Sequence, residues 1–340
     1  MQIHGVILAA GKGERMKPLT DRIPKALINI AGKTLLEWTV DRYNQSGISD
    51  IIVAVGWKGN MIEEFVSESN LDVKIVHVPN YETGPLQTLV TAIETFDGDF
   101  LLSPVDAMID TASMIGFLEH HSDYDTQERF NLAVSSNADS GTIVKLGHNN
   151  LVLGIGDVGS QSNKTARSAM MFIGHTRIRE LCKSTIEDRK TKVVNLLEQL
   201  LVDGARIEYY DIEQPLFDID TLSDILIANQ QFLWRGLVGK HDSIFITHGD
   251  NVQVGDSLVL GSKITLREGI DLQGPVLIGA NCEIGNYCRL GPNVTIGSNA
   301  EIAADCDISD AVIFGKSQIP AQSSVHKAII YKSAQYNVEV

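Results

Sequence analysis

The sequence predicts an α/β domain with a mostly parallel sheet, followed by a smaller domain built as a parallel β-helix. Up to about residue 238, nearly all-apolar segments alternate with segments of helical periodicity, which is typical of a parallel sheet covered by helices on both faces. From Val254 onward an aliphatic residue recurs every six positions, and this period stacks short strands and turns into a β-helix. The 340 residues suffice for two cores, which we assign to residues 1–239 and 240–340.

Seven apolar segments of the first domain are predicted to be strands: residues 3–9, 50–55, 73–78, 99–105, 131–135, 168–173 and 206–212. Between several of them lie helical periodicities, such as that of Leu36, Val40 and Tyr43. The last helix is predicted to begin at Thr221, because Thr-Leu-Ser-Asp is a capping box with Asp in place of Glu. This helix would run to about residue 237.

The six-residue repeat is in phase over eleven positions: Val254, Leu260, Leu266, Leu272, Ile278, Ile284, Leu290, Ile296, Ile302, Ile308 and, with an aromatic side chain, Phe314. Glycine follows this position in most repeats. Residues 246–325 therefore resemble the hexapeptide-repeat, left-handed β-helix family, and the resemblance implies three hexads per coil. Cys288 and Cys306 would then stack on each other, either as a functional pair or, as we favour, as small buried residues.

The amino-acid composition argues against two classes of binding partner. A formal net charge of −15 and a pI near 5.0 argue against a nucleic-acid or anionic-membrane partner, which would require a broad basic face. The chain has no apolar run of the roughly 20 residues that a membrane span needs. Residues 1–11 lack a basic n-region, so we interpret them as a buried strand and not a signal peptide. Four cysteines without CxxC spacing fit a reducing, cytoplasmic location.

Positive charge is concentrated in the stretch LAAGKGERMKPLTDRIPKAL, residues 8–27, which indicates an anionic ligand. A strand runs into Gly11-Lys12-Gly13, and the glycines allow backbone amides to turn toward phosphate. The stretch is neither a Walker A loop nor a GxGxxG fingerprint, since Met16 stands at the place of the third glycine. By itself, Gly-x-Gly after a strand is a weak indication of a phosphate-binding loop. The nearby Arg15 and Lys25 strengthen this interpretation.

Taken together, "LAAGKGERMKPLT…PKAL" resembles the signature of the nucleoside-diphosphate-sugar pyrophosphorylases, or sugar-1-phosphate nucleotidylyltransferases. The resemblance implies a Rossmann-like nucleotidyltransferase domain. Glu14 departs from the family, which commonly has Thr there. By resemblance, Arg15 grips the β and γ phosphates of a nucleoside triphosphate, and Lys25 neutralises the α-phosphate and the incoming sugar phosphate.

Further substrate contacts are implied by the same resemblance. The glycine loop, including Gly13, lets backbone groups of Leu8, Ala9 and Gly11 approach the base and phosphates. Lys12 either touches the triphosphate or is a solvated loop charge.

Three more predicted substrate contacts lie outside the glycine loop. In NYETGPLQTL, Gly84 matches the family's glycine beside the base, whereas Pro85 departs from its usual Thr or Leu. Asn80 reads a base edge or is an ordinary turn residue. Lys164 is the nearest candidate for the family's second lysine, on the sugar-phosphate side, although its surroundings match poorly.

Nucleotidyl transfer uses a cation, usually Mg²⁺, and therefore carboxylates. Asp106 follows the apolar strand DFLLSPV, which delivers it to the carboxyl edge of the sheet. Asp220 matches the family's late Asp-Thr segment, and Asp218 shares its face if the segment is extended. Asp110 is better interpreted as the N-cap of a helix that begins at Thr111. The predicted metal ligands are Asp106 and Asp220.

The predicted activity is transfer of a nucleoside monophosphate from a nucleoside triphosphate to a sugar 1-phosphate, with release of pyrophosphate and formation of a nucleoside-diphosphate sugar. The β-helix is predicted to form a homo-oligomer. One alternative is a hexapeptide-type acyltransferase; the repeats have only His248 and His326 nearby, at their ends, and no inserted loop. Another is a non-catalytic regulatory subunit, against which the retained charged residues of the motifs argue. Neither the base nor the sugar follows from the sequence.

Overall fold

The computed structural model of the chain describes residues 3–122, 129–214, 217–234, 246–248, 253–254 and 257–339. They form two compact units. The first comprises Met1–Gly13, Ile23–Leu27 and Leu36–Asp218, and the second comprises Glu14–Arg22, Ile28–Leu35 and Ile219–Val340. The predicted domain boundary at residue 239 lies outside the described residues, as do the predicted end of the last helix and the repeat glycine Gly255.

The helices, numbered along the chain, are α1 (Leu35–Gln45), α2 (Gly59–Ser69), α3 (Pro85–Ile93), α4 (Thr111–Ser122), α5 (Arg179–Glu187), α6 (Val193–Val202) and α7 (Leu222–Trp234). The strands as far as α7 are β1 (Ile3–Ala9), β2 (Asn29–Ile30), β3 (Lys33–Thr34), β4 (Ile51–Val55), β5 (Lys74–His77), β6 (Asp99–Pro104), β7 (Ala107–Met108), β8 (Arg129–Ser135), β9 (Ile143–Leu146), β10 (Val152–Ile155), β11 (Val158–Gly159), β12 (Lys164–His175), β13 (Arg206–Asp211) and β14 (Phe217–Asp218).

Within the described residues, the first unit is built on a ten-stranded sheet with the order β11-β10-β9-β12-β6-β1-β4-β5, to which β8 adds beside β12 and β13 beside β8. The pairs β1–β4, β1–β6 and β4–β5 are parallel, as predicted. Strand β12 is antiparallel to β6 and to β9. The sheet is thus a parallel core with an antiparallel extension.

Helices cover both faces of this sheet. On one face, α3, α5 and α6 contribute to an apolar cluster with strand residues such as Val6, Phe100, Leu102 and Phe172; we call it the α3 cluster. On the other face lies α1, whose predicted inward residues Leu36, Val40 and Tyr43 are all buried. The alternation of faces along each strand explains why these strands are apolar throughout.

The predicted helix starts are confirmed at two places. Asp110 accepts hydrogen bonds from the backbone N–H and the hydroxyl of Ser113, both at 2.8 Å, and so caps α4. The capping box at α7 is reciprocal: Asp224 accepts from the N–H of Thr221 at 2.7 Å and donates its own N–H to the Thr221 hydroxyl at 3.2 Å.

The second unit contains the repeat region. Its strands are β15 (Ile246–His248), β16 (Gln253–Val254), β17 (Leu258–Leu260), β18 (Ile264–Leu266), β19 (Asp271–Leu272), β20 (Val276–Ile278), β21 (Glu283–Ile284), β22 (Arg289–Leu290), β23 (Val294–Ile296), β24 (Glu301–Ile302), β25 (Asp307–Ile313), β26 (Gln318–Ile319), β27 (Ser324–Tyr331) and β28 (Ala334–Asn337). Strands β15 to β27 stack as parallel columns, and β28 pairs antiparallel with β27. Ile284 pairs with Ile302 and Leu290 with Ile308, each eighteen residues later, as three hexads per coil require. The predicted parallel β-helix is confirmed.

The register changes by one residue near the end of the coil. Ile296 pairs with Ile313, seventeen residues later, so Ile313 and not Phe314 takes the inward position of this repeat. The prediction for Phe314 was therefore wrong. Ile313 belongs to the apolar interior, whereas the Phe314 ring contacts the ring of Tyr331 edge-on, with 5.5 Å between their centroids. The physical reason is that one residue is missing from this coil relative to the strict period.

Four free cysteines are buried, three of them inside the coil. The thiols of Cys288 and Cys306 lie 3.1 and 3.2 Å from the same carbonyl oxygen, that of Ala303. Burial raises the pKa of Cys288 to about 11, and that of Cys182 in α5 to about 12. These are packed, protonated thiols, in agreement with the structural interpretation of the stacked pair.

Helix α7, which the sequence assigned to the catalytic domain, packs in the second unit against the coil and the β2–β3 hairpin. Its Asn229 is 1% exposed. The side-chain oxygen of Asn229 accepts from the backbone N–H of Ala31 at 3.0 Å and from the hydroxyl of Thr295 at 2.7 Å. Its amide donates to the carbonyl of Asn293 at 3.3 Å. One side chain thus joins hairpin, helix and coil.

Among the described residues, no helix combines the length and apolar character that crossing a membrane would require.

Candidate active site

A cavity of about 390 Å³ opens at the carboxyl ends of β1 and β6 in the first unit. Predicted site residues that line it are Leu8, Ala9, Gly11, Lys12, Lys25, Gly84 and Asp106. Ligand pockets of open α/β sheets lie at this edge. Seven residues chosen from separate motifs therefore meet in one pocket.

Lys25 and Asp106 form a direct ion pair at this cavity, and their side chains are 12% and 22% exposed. The segment that follows β6 is held from behind by α1. Arg42, which is buried, donates to the carbonyl oxygens of Ala107 and Ile109, each at 2.8 Å, and to the Thr39 hydroxyl at 2.9 Å. Burial lowers the pKa of Arg42 to about 10, so it stays charged at neutral pH. These bonds fix the backbone next to Asp106.

A second carboxylate approaches Asp106 through a short strand pair. Strand β14 runs antiparallel to β7, with Asp218 opposite Ala107. Carboxylate oxygens of Asp106 and Asp218 lie within 4.8 Å of each other. Two oxygen ligands at this separation can share one hard cation.

Arg15 and Asp220 belong to the second unit, where they pair with each other. The guanidinium of Arg15 lies 2.5 Å from the carboxylate of Asp220, and the Arg15 side chain is 69% exposed, against 18% for Asp220. Asp220 follows Asp218 by two residues, immediately before the capping box of α7. Arg15, predicted to bind phosphate, is thus ion-paired with Asp220, which was predicted to bind the metal.

Lys12 is ion-paired with Glu82, with 3.1 Å between ammonium nitrogen and carboxylate oxygen. Its ammonium group also lies 5.6 Å from the ring centroid of Trp57 and 5.9 Å from that of Tyr81, within the range of cation–π attraction. Glu82 and Tyr81 line the cavity and were not predicted as site residues. No motif in the sequence pointed to them. In the structure, Gly56 packs against Tyr81, since any side chain at Gly56 would come within 2.4 Å of the Tyr81 ring.

Gly84 shapes the side of the cavity next to α3. Its φ of +139° lies in the region that favours glycine, and a side chain there would come 2.8 Å from the carbonyl oxygen of Thr191. Pro85 then occupies the first turn of α3, where a missing N–H costs nothing. Pro85 and Thr88 also line the cavity. The departure from the family at Pro85 thus preserves the helix start.

The remaining predicted contacts lie elsewhere or play local roles. Asn80 is exposed and precedes the short 3-10 helix Tyr81–Thr83, without a side-chain capping bond. Gly13 has a φ of +64° in the loop after β1. Lys164 begins β12 and donates to the hydroxyl of Tyr209 at 3.3 Å. Their assignment to substrate contacts stays a prediction.

Only one of the two histidines considered for acyl transfer has a described side chain. Nδ1 of His326 lies 2.7 Å from the hydroxyl of Ser309 at exposed positions of neighbouring coils. The side chain of His248 lies outside the described residues.

Two curated proteins that this chain resembles are both named as nucleotidyltransferases that act on sugar 1-phosphates. The chain is 41% identical over 87 residues to the N-acetylmuramate alpha-1-phosphate uridylyltransferase of Neisseria meningitidis serogroup B, over 25% of this chain and 37% of that protein. It is 24% identical over 240 residues to the mannose-1-phosphate guanyltransferase of Gibberella zeae, over 68% of this chain and 64% of that protein. Both alignments thus span less than two thirds of the relative's length.

The solved structure of UDP-glucose pyrophosphorylase complexed with UDP-glucose matches with a TM-score of 0.58 at 14% identity, over 69% of this chain and 100% of that chain, which shows the shared fold. A family profile described as GMPPB C-terminal domain matches residues 272–338. A profile described as MobA-like NTP transferase domain matches residues 5–184, more than half of the chain. The chain therefore belongs to the family of the MobA-like NTP transferase domain.

Proposed function

We propose that the protein transfers a nucleoside monophosphate from a nucleoside triphosphate to a sugar 1-phosphate, releasing pyrophosphate and forming a nucleoside-diphosphate sugar. The observation that carries this proposal is the cavity in which the glycine loop, Lys25 and Asp106 meet at the carboxyl edge of the sheet. Membership of the family and the uridylyl and guanylyl transfer named for the relatives support this reaction class.

The reaction is an in-line displacement at the α-phosphorus. A phosphate oxygen of the sugar 1-phosphate attacks, a new P–O bond forms, and the bond to the β-phosphate oxygen breaks to release pyrophosphate. No general base is needed, because the attacking phosphate oxygen is already ionised at neutral pH. Lys25 stabilises the charge that builds at the α-phosphorus, and Arg15 holds the β and γ phosphates. Backbone groups of Leu8, Ala9 and Gly11 position the base and phosphates.

We propose Mg²⁺ as the cofactor, held by Asp106 and Asp220. The donor set fits a hard cation, because carboxylate oxygens are its preferred protein ligands and phosphate oxygens supply the others. Asp218 is the rival for the second position, since its carboxylate lies within 4.8 Å of that of Asp106. The cation would neutralise charge on the triphosphate.

A screen of pyrophosphate release tests the proposed reaction. Uridine, thymidine, guanosine, cytidine and adenosine triphosphates are each combined with a panel of sugar 1-phosphates, with and without Mg²⁺. We expect release from at least one pair, dependent on both substrates and on Mg²⁺. Release that needs no sugar phosphate, or no release from any pair, would reject the proposed reaction. Acetyl-CoA consumption in the same panel would instead favour the acyltransferase alternative.

We also propose that the protein is a cytoplasmic homo-oligomer assembled through the coil. The free thiols are consistent with a reducing compartment. Tyr287, 57% exposed on the coil, is the kind of aromatic residue that interfaces bury. Because α7 packs with the coil, the test uses the full chain and not a truncation. Sedimentation should show an oligomer that Tyr287→Lys weakens; a monomeric wild type would reject the proposal.

A further inference from the structure

The glycine loop carries a lysine that is ion-paired inside the cavity. Lys12 lies between Gly11 and Gly13 and lines the cavity, as does its partner Glu82. The ammonium nitrogen of Lys12 is 3.1 Å from the Glu82 carboxylate, and the two side chains are 35% and 63% exposed. The proposed reaction gives Glu82 no role, although it is a carboxylate in a cavity proposed to accept a highly anionic triphosphate.

The strand register shows on which side of the loop this pair lies. Strand β1 has β6 on one edge and β4 on the other. Ala9 and Val55, the last residues of β1 and β4, are paired with each other. The backbone N–H of Trp57, two residues past β4, donates to the carbonyl oxygen of Ala10 at 3.0 Å. Trp57 is therefore beside the start of the glycine loop, on the edge away from β6.

Lys12 is held on the β4 side, whereas the reacting groups are on the β6 side. Its ammonium group lies 5.6 Å from the ring centroid of Trp57 and 5.9 Å from that of Tyr81, which packs against the α3 cluster. Asp106 follows β6 and is paired with Lys25. Before substrate binds, Lys12 thus lies across the loop from the Lys25–Asp106 pair.

The contacts that hold Lys12 are individually weak. An exposed ion pair favours the paired state by roughly two- to fivefold. The Trp57 ring is shared between two cations, because the ammonium group of Lys58 lies 5.2 Å from its centroid. Phosphate oxygens accept charge-assisted hydrogen bonds from an ammonium group, and these are stronger than neutral ones. A bound triphosphate can therefore take Lys12 from Glu82.

The loop around Lys12 has room for such a change. A side chain on Gly11 would have nothing within 4 Å, so there is open space beside the loop at this point. Gly13 has a φ of +64°, in the region that favours glycine. The two glycines flank Lys12 and allow the backbone to change conformation at low cost.

We propose that Glu82 is a positioning residue that competes with the triphosphate for Lys12 and so sets the affinity of the site. This inference rests on the proposed nucleotidyl transfer. A triphosphate that binds through Lys12 must first break the Lys12–Glu82 pair, so its apparent affinity falls with the fraction of Lys12 that is available. The pair forms again when pyrophosphate leaves, which favours product release.

The test measures triphosphate binding without turnover. Uridine, thymidine, guanosine, cytidine and adenosine triphosphates are titrated calorimetrically into the wild-type protein with Mg²⁺ at about 0.15 M ionic strength, where exposed charges are largely screened. The tightest binder is then titrated into Glu82→Gln, Glu82→Asp, Lys12→Met and the double variant Lys12→Met, Glu82→Gln. The control is Glu63→Gln, which removes an exposed carboxylate of α2 that lies 3.2 Å from Nε2 of His77.

Glu82→Gln should bind the triphosphate about three- to fivefold more tightly than the wild type, because Lys12 becomes available. Glu82→Asp should be closer to the wild type, since it keeps the charge. Lys12→Met should bind about tenfold more weakly, because it loses a charge-assisted contact with phosphate. In that background Glu82→Gln should change the affinity by less than about twofold, since salt screens the remaining repulsion. The control should match the wild type.

Steady-state kinetics give a second measure of the same competition. Glu82→Gln should lower KM for the triphosphate without raising kcat, because Glu82 acts on binding and not on the reacting centre. A merely structural role of Glu82 would not produce this split. Tighter binding also cannot result from a misfolded variant.

Three results would overturn the inference. Equal affinities of the wild type and Glu82→Gln would show that Glu82 does not compete for Lys12. Equal tightening by Glu82→Gln in the presence and absence of Lys12 would show direct repulsion of the triphosphate in place of competition. If the wild type binds none of the triphosphates, the proposed reaction itself fails, and the inference fails with it.

Discussion

The ammonium group of Lys25 is paired with the carboxylate of Asp106, although the two residues lie 81 positions apart in the sequence. Each charge is largely withdrawn from water and would be costly without the other. The pair therefore stabilises the cavity before substrate enters. In the proposed reaction, triphosphate oxygens would take over the pairing with Lys25, which would leave the Asp106 carboxylate for a cation.

Lys25→Ala should slow the chemical step by two to three decades, about 3–4 kcal/mol, because it removes charge at the reacting centre. Affinity for the triphosphate should fall much less, since the glycine loop and Arg15 hold its other phosphates. Single-turnover rates at saturating triphosphate and equilibrium binding measure the two effects separately. Lys74→Ala, an exposed lysine of β5, is the control. A variant with normal saturated rate and weak binding would contradict the assigned role.

Replacement of the carboxylates by Asn should rank the metal ligands. Asp106→Asn and Asp220→Asn should each nearly abolish turnover, and the double variant should be little worse than the worse single variant, because the two act as a unit. Asp218→Asn should be milder. Initial rates over a Mg²⁺ titration give the ranking. If Asp218→Asn lowers turnover more than Asp220→Asn does, Asp218 is the metal ligand, and the role of Asp220 is its ion pair with Arg15.

Arg42→Met should destabilise the first unit by about 3 kcal/mol, because three buried oxygen acceptors lose their donor. Methionine keeps much of the volume, so the loss reports the hydrogen bonds more than a cavity. Urea unfolding gives the free energy of unfolding. The control Arg177→Met changes an arginine at an exposed position of the same unit. Equal stability of the two variants would show that the carbonyls of Ala107 and Ile109 find other donors.

Local signals in the sequence predicted local structure well. The apolar run at residues 3–9 became β1 with the same bounds, and the Thr221–Asp224 capping box formed as predicted. The six-residue period placed the inward side chains of the coil up to Ile308. In each case the deciding interactions lie within a few residues or one repeat.

Contacts between distant segments could not be predicted in this way. Lys12 meets Glu82, and only the fold decides which of many acids a loop lysine reaches. The ribbon β9–β11 also escaped prediction, since its short strands include Gly154 and Gly159 and lack a long apolar run. Its pairing with β12 therefore became visible only in the structure.

Asn229→Ala should destabilise the second unit by about 2–3 kcal/mol, because it removes three hydrogen bonds at a buried position and leaves partners on hairpin and coil unsatisfied. The effect should be observed by urea unfolding. Gln230→Ala changes the next residue of the same helix, which is exposed, and should change stability by less than about 0.5 kcal/mol. Similar losses of unfolding free energy in both variants would indicate that the substitutions act through helix propensity and not through the hydrogen bonds of Asn229.

His121 should contribute a component of acid destabilisation that is separate from the carboxylates. Burial lowers the pKa of His121 below its usual 6.5, and neighbouring Asp99 only partly opposes this. Nδ1 of His121 lies 2.7 Å from the side-chain amide of Asn131, so protonation at Nδ1 would set two donors against each other. Since the folded pKa lies below the unfolded one, this stabilisation is fully present above pH 6.5 and is lost as the pH falls through the folded pKa. His121→Asn should therefore lose less unfolding free energy between pH 7 and pH 5 than the wild type does. The exposed His77→Asn should follow the wild type, and an unchanged slope in His121→Asn would mean that other groups cause the acid sensitivity.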